Sequence, residues 1–494
     1  MFVVSVSLSK SIPRDADAVL VGLTEVSGTP ALVDLPADVT KDLTKRWGAT
    51  PLAIALDLGA KTKIGSTTLL PTQGLRVVVV GLGDVDVTPE QVRRAVGSGV
   101  RALAALEPKA PLHIALSLDL VEPEVIKGAT EGALLGAYSF TKIGSEPTEL
   151  LRHVTVVSPS TKQEAKDALT AAATIAAGVN QTRDWINTPG NLLYPETFAA
   201  LAAAAGKKAK LDVEVLDEKA LTKAGFGGIL AVGMGSVRPP RLVRLSYTPR
   251  GARNHLALIG KGITFDTGGI NLKPGDSMYT MKTDMSGAAA VISAIQVIAE
   301  LGLKITVTAY AAMAENMPSG SAQRPSDVLT MYGGTTVENF NSDAEGRLVL
   351  ADALTRATED KPDLIVDVAT LTGACVVALG ERTSGLMASD DQTADRLLDA
   401  AEAAGEAFWQ LPITDEVGDY LKSKVADLKS GGPRWGGALT AAAFLQRFVG
   451  DTDWAHLDIA GPAFNEHEAY DYVPAGATGV AVRTLVALAQ SLQG

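Results

Sequence analysis

Residues 255–269 read His-Leu-Ala-Leu-Ile-Gly-Lys-Gly-Ile-Thr-Phe-Asp-Thr-Gly-Gly, an apolar run that gives way to glycines and polar side chains. The run His255–Ile259 is short, apolar and followed by glycine, which predicts a buried strand. The runs Ile305–Ala311 and Leu364–Val368 have the same character. Because α/β folds place their sites on the loops that leave such strands, the polar residues of this stretch are candidates for a functional site.

Helical segments alternate with these strands. Ser286–Leu301 and Ala344–Thr358 each follow a polar turn and have the length of a helix. The first third of the chain alternates in the same way, with strands predicted at 18–23, 75–80, 112–117 and 153–157 and helices at 89–106 and 129–138. The pattern predicts an α/β protein with two domains, of which the larger has a central mixed sheet flanked by helices.

An Ala-rich stretch with helical spacing occupies residues 161–186 and ends before the breaker Asn187-Thr188-Pro189-Gly190-Asn191. We interpret it as a helix that links two domains, because a chain of 494 residues is too long for one ordinary domain. The predicted organisation is a smaller N-terminal α/β domain at 1–160, the linking helix at 161–186 and a catalytic α/β domain at 187–494.

The composition is that of an acidic globular protein, with 46% hydrophobic residues and a net charge of -12. This charge repels phosphate backbones and anionic lipids, so neither nucleic acid nor a membrane is expected as a partner. Cys375 has no second cysteine to pair with, and we interpret it as a small buried side chain. The first ten residues lack the pattern of a secretory signal, so a cytoplasmic location is expected.

Two glycine-rich segments, 260–285 and 341–348, carry acidic side chains next to apolar elements. They contribute four carboxylates: Asp266, Asp284, Asp343 and Glu345. Four carboxylates brought together repel one another unless cations neutralise them, and a pair of divalent metal ions would do so. Taken singly, each acid is more simply a turn residue, and Asp343 a helix N-cap. The occurrence of both segments in one chain favours the metal site.

The histidines offer no alternative ligand set. They are scattered without metal-ligand spacing, and we interpret each as structural: His113, His153, His255, His456 and His467. The predicted site is therefore rich in oxygen ligands, which suit Mg or Mn as well as Zn.

The two segments resemble the signatures of the leucyl aminopeptidase family, the cytosol aminopeptidases of metallopeptidase family M17. Asn-Ser-Asp-Ala-Glu-Gly-Arg-Leu at 341–348 is similar to the family signature Asn-Thr-Asp-Ala-Glu-Gly-Arg-Leu, with Ser342 in place of Thr. The likeness covers roughly residues 180–494 and includes the segments 187–189, 316–320, 369–374 and 454–461. Residues 1–160 show only a general likeness to the variable N-terminal domain of the family.

The resemblance implies a role for each matched position. Two divalent ions, Mn or Zn, would be bound by Lys261, Asp266, Asp284, Asp343 and Glu345. Asp266 and Glu345 would be shared by both ions, Asp343 would complete the first site, and Lys261 and Asp284 would complete the second. Lys273 and Arg347 would be catalytic. The substrate would contact Lys273, Met281, Asn341, Thr370, Leu371 and Gly373. The resemblance also implies removal of leucine and similar N-terminal residues from peptides, and assembly into a homohexamer.

These implied roles are chemically consistent. A lysine that ligates a metal must be neutral, and an adjacent dication lowers its pKa. Lys273 would stabilise the oxyanion of the tetrahedral intermediate. Arg347 would hold a bicarbonate ion that serves as general base, because the guanidinium fork fits a planar anion.

Three further features have alternative interpretations. Val77–Gly83 resembles the start of a dinucleotide-binding turn but lacks the third glycine, so a strand that ends in a tight turn is preferred. Some bacterial members of the family also bind DNA, but the acidic charge argues against such a regulator here. The loop Gly431–Gly436 is not matched with the family. If it lies near the mouth of the site or at a subunit contact, Trp435 would alter selectivity, but surface packing is the preferred interpretation.

Overall fold

The computed structural model describes residues 4–84 and 86–493, and its chain divides into two compact units. One unit comprises the residues up to Asn180 together with Glu466–Ala475, and the other comprises Gln181–Asn465 and the residues from Gly476 onward. The predicted organisation into 1–160, 161–186 and 187–494 remains a prediction.

The first unit has a seven-stranded sheet with the order β1-β7-β6-β2-β5-β4, and β3 pairs with β2. Its strands are β1 (Ser5–Ser9), β2 (Ala18–Val26), β3 (Thr29–Leu32), β4 (Thr67–Leu70), β5 (Arg76–Asp84), β6 (Leu112–Ser117) and β7 (Leu151–Val157). Its helices are α1 (Ala37–Trp47), α2 (Pro51–Asp57), α3 (Pro89–Ala104) and α4 (Pro123–Gly136). All strands and helices predicted for this part of the chain are present.

The strand β5 corrects one interpretation. It continues through Gly81 and Gly83 to Asp84, so these glycines lie in a strand and not in a tight turn. A Cβ on Gly81 would lie 2.2 Å from the carbonyl oxygen of Lys63, and glycine therefore allows the segment 61–63 to lie against the strand. The segment 77–83 therefore lacks the tight turn that a dinucleotide-binding motif requires.

The predicted helix at 161–186 is α5 (Gln163–Asn187), and the division between the two units falls within it. The second unit has an eight-stranded mixed sheet with the order β16-β15-β18-β14-β10-β11-β9-β8. Its strands are β8 (Asp212–Leu216), β9 (Arg241–Tyr247), β10 (His255–Asp266), β11 (Thr306–Asn316), β14 (Leu364–Ala369), β15 (Ser384–Ala388), β16 (Phe408–Gln410) and β18 (Asp453–Asp458). The central strands β11, β10, β14 and β18 are parallel, whereas β9 and β15 run antiparallel to their central neighbours.

Smaller elements complete this unit. The short strands are β12 (Val328–Thr330), β13 (Thr336–Glu338), β17 (Leu428–Lys429), β19 (Phe464–Asn465) and β20 (Gly476–Ala477). The helices are α6 (Pro195–Lys208), α7 (Glu218–Ala224), α8 (Gly227–Gly233), α9 (Gly275–Met278), α10 (Ser286–Glu300), α11 (Glu345–Thr358), α12 (Gly373–Leu379), α13 (Asp391–Ala404), α14 (Asp415–Asp419), α15 (Gly437–Gln446) and α16 (Val482–Ser491). The predicted α/β class and the central mixed sheet flanked by helices are confirmed.

Helices cover both faces of the central sheet. The small residues of α10 allow a close approach on one face, where a Cβ on Gly260 would lie 2.5 Å from the Cα of Ala288. On the other face, α11 packs in one apolar cluster with Ile259, Ile365 and Trp454. Burial on both faces explains why β10 and β14 read as continuous apolar runs in the sequence.

Candidate active site

The strand β10 is longer than its apolar run. It was predicted to end at Ile259 but reaches Asp266, so Lys261 and Asp266 lie on the strand and not on the loop after it. The two residues are five positions apart, and in a regular strand they would face opposite sides of the sheet. The pairing register of β10 with β11 shifts between Ile263 and Phe265. This β-bulge adds one residue and turns both side chains to the same face.

A glycine turn then returns the chain toward Asp266. Gly268 and Gly269 have φ angles of 83° and 66°, which glycine adopts without strain. The N–H of Lys273 donates to the carbonyl oxygen of Thr267 at 2.9 Å, which closes the turn. The Lys273 ammonium therefore lies 2.9 Å from Asp266 Oδ2 and 2.5 Å from Asp343 Oδ1.

The segment 341–345 presents its two acids from a turn that precedes α11. Asn341 Oδ1 accepts the N–H of Asp343 at 2.9 Å, and Glu345 is the first residue of the helix. The N-cap of α11 is Ala344 and has no side-chain cap bond, so the N-cap alternative for Asp343 is wrong. The Ser342 hydroxyl donates to the Gly268 carbonyl at 2.7 Å and thus joins the two signature segments.

Lys261 forms a second junction between carboxylates. It is only 2% exposed, and its Nζ lies 2.8 Å from Asp284 Oδ1 and 2.9 Å from Glu345 Oε1. Nζ also donates to the Thr370 carbonyl at 3.0 Å, and the Thr370 hydroxyl donates to Asp284 Oδ1 at 2.7 Å. All five residues that the resemblance implied as ligands, together with Lys273, therefore lie in one cluster.

The cluster concentrates negative charge in a buried place. Three carboxylate oxygens, one from each of Asp266, Asp343 and Glu345, lie within 4.8 Å of one another. Burial raises the pKa of Asp266 to about 6, and the charge of Glu345 adds to this effect. Burial also raises the pKa of Asp343, and it raises the pKa of Asp284 well above its usual range. The two lysines thus do not fully compensate the four acids.

The pKa values of the two lysines and of Glu345 shift in the directions expected for ion pairs. Burial alone would lower the pKa of Lys261 and Lys273, but the surrounding carboxylates outweigh it and raise both pKa values. Burial alone would raise the pKa of Glu345, but both lysines hold that pKa below its usual value. Without a bound cation, the two lysines are therefore the counter-ions of the cluster.

Two buried oxygens test whether the cluster fits metal ions. Asp284 Oδ2 and Glu345 Oε2 are buried and have no hydrogen-bond partner among residues 4–84 and 86–493. A buried carboxylate oxygen without a partner is costly unless a cation neutralises it. Hard oxygen donors are the ligands of divalent Mg and Mn, and Zn also accepts them. The residues present fit a site for divalent cations.

Arg347 lies at the edge of the cluster, in the first turn of α11. Its Nη1 donates to the Ser430 carbonyl at 2.8 Å, while the buried Nε has no partner in the part of the chain that the structure describes. Burial lowers the Arg347 pKa to about 10. A buried guanidinium with a free N–H fits a small anion, which is the function that the resemblance implied.

The unmatched loop 431–436 begins directly after Ser430 and so starts beside Arg347. A Cβ on Gly431 would lie 3.6 Å from Arg347 Nη1. The Trp435 side chain is 76% exposed, and the Arg434 guanidinium lies 5.7 Å from its ring centre. The interpretation of Trp435 as surface packing stays a prediction.

The predicted substrate positions surround this cluster in different ways. Thr370 and Asn341 make the contacts with Asp284 and Asp343 described above. A Cβ on Gly373 would meet no atom within 4 Å, so this residue borders open space. The other two positions are half-buried: Met281 in a 3₁₀ turn before Asp284, and Leu371 after Thr370.

Three residues outside the predicted set also support the site. Asn316 donates from Nδ2 to Asp266 Oδ1 at 2.8 Å, and Asn271 Oδ1 accepts the N–H of Ser342 at 3.0 Å. The ammonium of Lys282 donates to the Asn187 carbonyl at 2.7 Å. The motif at 316–320 was the available signal for Asn316, whereas Asn271 had none.

The predictions for the remaining polar residues can also be compared with the structure. Cys375 is buried, as predicted, and burial raises its pKa to about 12. His456 is fully buried and its Nδ1 lies 2.6 Å from Asp367 Oδ1.

None of the helices in the described ranges combines the length and the apolar character needed to cross a bilayer.

The buried group of carboxylates and lysines at the edge of the sheet fits a site for divalent cations, and comparison with known proteins assigns the class of the protein as an aminopeptidase. The chain belongs to the cytosol aminopeptidase family: the family's catalytic domain matches residues 180–486, and its N-terminal domain matches residues 38–147. The predicted resemblance is thus confirmed.

Curated relatives and solved structures agree with this assignment. A probable cytosol aminopeptidase of Cutibacterium acnes is 54% identical over 97% of this chain and 94% of its own length. One from Streptomyces griseus subsp. griseus is 47% identical over 99% of this chain and 98% of its own length. The bottromycin maturation enzyme BotP, solved in complex with Mn, is 37% identical with a TM-score of 0.84, covering 97% of this chain and 99% of its own.

Proposed function

We propose that this aminopeptidase uses two divalent cations, Mn or Zn, to remove leucine and similar residues from the N-termini of peptides in the cytoplasm. The proposed ligands are Lys261, Asp266, Asp284, Asp343 and Glu345, with Lys273 and Arg347 as catalytic residues. The observation that carries the proposal is the approach of three carboxylates to within 4.8 Å beside two buried oxygens without a partner. Mn in the structure of BotP supports the choice of metal for this chain.

The chemistry divides between the ions and the side chains. Divalent cations bound here would supply Lewis acidity and would activate water at neutral pH. Lys261 would give up its proton when it ligates, because a dication beside an amine lowers its pKa. Asp266, Asp284, Asp343 and Glu345 would hold the ions in position.

The two catalytic residues would act on the substrate and on the proton. Lys273, whose pKa is raised by Asp266 and Asp343 against the effect of burial, stays protonated and can donate to the oxyanion that forms at the scissile carbonyl. Arg347 would orient a bicarbonate ion that takes up a proton, since a guanidinium fork matches a planar anion. The proposed substrate contacts Met281, Asn341, Thr370, Leu371 and Gly373 adjoin these groups.

Chelation tests the metal dependence. A panel of aminoacyl amides should lose hydrolysis after prolonged chelation and regain it on addition of Mn²⁺, Zn²⁺ or Co²⁺ alone. Leucine amide should be among the best substrates of the panel. Full activity of thoroughly demetallated protein would refute the two-metal mechanism and leave the aminopeptidase assignment intact.

Acetylation of the substrate tests the exopeptidase part of the proposal. The free α-amine of a peptide would serve as a ligand for the second cation, so leucyl-alanine should be cleaved and its N-acetylated form should not. Comparable turnover of the two compounds would indicate an endopeptidase or an amidase.

A further inference from the structure

Asp458 is a fully buried acid beside the site that has no role in the mechanism above. It is the last residue of β18 and has an exposed fraction of 0%. Its register partner is Ala369, the last residue of the parallel strand β14. Partner residues of parallel strands face the same side of the sheet, so the Asp458 side chain lies where the loop 370–373 begins.

The carboxylate of Asp458 accepts three hydrogen bonds, two of which come from this loop. Oδ1 accepts the N–H groups of Leu371 and Ala460, each at 3.2 Å, and Oδ2 accepts the hydroxyl of Thr372 at 2.7 Å. Within the described ranges, no lysine or arginine forms an ion pair with Asp458. A buried carboxylate is costly unless it is compensated, and here the Arg347 charge and the hydrogen bonds share this function, with two of the three bonds coming from one loop.

The loop in turn holds two residues of the carboxylate cluster. The Thr370 carbonyl accepts a hydrogen bond from Lys261 Nζ at 3.0 Å, and its hydroxyl donates to Asp284 Oδ1 at 2.7 Å. Thr370 directly precedes Leu371, whose N–H is bound by Asp458. A shift of the loop would therefore move the two contacts that orient Lys261 and Asp284.

We propose that Asp458 is a positioning residue that fixes the loop 370–373 and thereby sets the affinity of the cation site formed by Lys261 and Asp284. The inference rests on the proposed function, because it takes these two residues as ligands. Residues that orient metal ligands typically contribute about 10–100-fold to affinity. The other cation site, to which Asp343 belongs, should not depend on Asp458.

The test is a titration of the demetallated full-length protein with Mn²⁺ alone, in which free Mn²⁺ is followed by electron paramagnetic resonance. The parent should show two classes of site. Asp458→Asn replaces one of the two acceptor oxygens with an NH2 group, so either the bond from Thr372 or the bonds from Leu371 and Ala460 are lost, and one class should weaken about 10–100-fold. Thr372→Val should weaken the same class, whereas Thr372→Ser keeps the hydroxyl and should bind like the parent.

Asp352→Asn is the matched control for a general loss of packing. Asp352 is equally buried and accepts the N–H groups of Ile229 and Tyr332, each at 2.8 Å, but it does not contact the loop 370–373. Its substitution should lower the melting temperature and leave the Mn²⁺ titration unchanged. Equal weakening by Asp352→Asn would show that Asp458 is merely structural.

The remaining outcomes separate this inference from the proposed function. A parent protein with two Mn²⁺ classes and an Asp458→Asn variant with the same titration would overturn the inference alone. If Asp458→Asn does not fold, a parent-like titration of Thr372→Val would overturn it equally. A parent that binds no Mn²⁺ would overturn the proposed function together with the inference.

Discussion

Lys261 and Lys273 each lie between two carboxylates and connect all four acids of the site. A lysine ammonium is a compact point charge on a flexible stem, so it can occupy a position between acids that come from different elements. Lys261 joins Asp284 to Glu345, and Lys273 joins Asp266 to Asp343. The two lysines are equivalent as counter-ions but have different proposed roles, the first as ligand and the second as oxyanion donor.

Substitution of Lys273 should be far more damaging than substitution of Lys282. Loss of an oxyanion donor typically costs about 10²–10³ in turnover, so Lys273→Ala should reduce kcat by this factor. Within the described part of the chain, Lys282 donates to the Asn187 carbonyl and to no carboxylate of the cluster, so Lys282→Ala should cost about 1 kcal/mol of stability and leave kcat near that of the parent.

Steady-state kinetics and bound-metal analysis of both variants provide the measurement, because a lost ion would mimic a lost donor. A severely reduced kcat of Lys282→Ala, or equally small reductions in both variants, would show that the site residues are assigned incorrectly.

The raised pKa of Asp266 predicts that the demetallated protein is less stable at high pH. The folded-state pKa of about 6 lies above the ordinary value of about 3.9, so the folded state binds this proton more tightly. Its stabilising effect is complete below the unfolded pKa and is lost as the pH rises through 6. In chelator, the melting temperature should therefore fall between pH 5 and pH 7.5.

Added Mn²⁺ and the variant Asp266→Asn are the controls for this melting experiment. Mn²⁺ should raise the melting temperature most at the upper end of the range, where the carboxylates are charged. Asp266→Asn should flatten the dependence in chelator. A demetallated parent whose melting temperature rises over this range would contradict the assignment.

At the scale of elements, the site depends on how closely α11 lies against β10. A Cβ on Gly346, in the first turn of α11, would lie 2.6 Å from Lys261 Cε and 2.7 Å from its Nζ. Glycine at this position therefore leaves the space that the lysine side chain occupies, although alanine is the better helix former by about 1 kcal/mol.

Gly346→Ala should consequently reduce catalytic activity more than it reduces the stability of the fold. The methyl group meets the far end of a flexible side chain, so it should displace the ammonium and not the backbone. We expect kcat to fall at least about tenfold, since small misplacements of catalytic groups have effects of this order. The free energy of unfolding should change by less than about 1 kcal/mol.

Gly275→Ala, at an exposed position of α9 where a Cβ would meet nothing within 4 Å, is the control for this comparison. Kinetics and thermal unfolding of both variants provide the measurement. Parent-like turnover of Gly346→Ala would mean that Lys261 can be displaced without consequence.

At the scale of the whole molecule, several large apolar side chains are exposed on the isolated chain. Val237 is 96% exposed, Val377 89%, Tyr279 86% and Trp435 76%, all within the second unit. Exposed apolar residues that group into a patch commonly mark sites of protein–protein association. The homohexamer that the family resemblance implied stays a proposal, and these four side chains are candidates for its contacts.

Light scattering at micromolar concentration should therefore give a mass several times that of the chain, and six times if the hexamer forms. Charged substitutions at Tyr279 and Val237 should lower this mass if those side chains are covered on assembly. A species of 51.2 kDa, the mass of one chain, would contradict the proposal.

The sequence by itself determined the family, the α/β class and the chemical identity of the candidate site. Apolar runs and polar turns report local structure directly, because a strand buried on both faces must be apolar throughout. The acidic signature segments could be recognised because the required residue types lie close together along the chain. The four acids of the cluster were predicted in this way, whereas the two lysines were implied by the family resemblance.

The tertiary structure alone decided how these side chains meet. The five-residue spacing of Lys261 and Asp266 places them on opposite faces of a regular strand, and only the bulge between Ile263 and Phe265 brings them to one face. Such a bulge depends on pairing with β11, which is distant in sequence. For the same reason, the supporting contacts of Asn316, Asn271 and Asp458 could not be predicted: each joins segments whose proximity exists only after the sheet has formed.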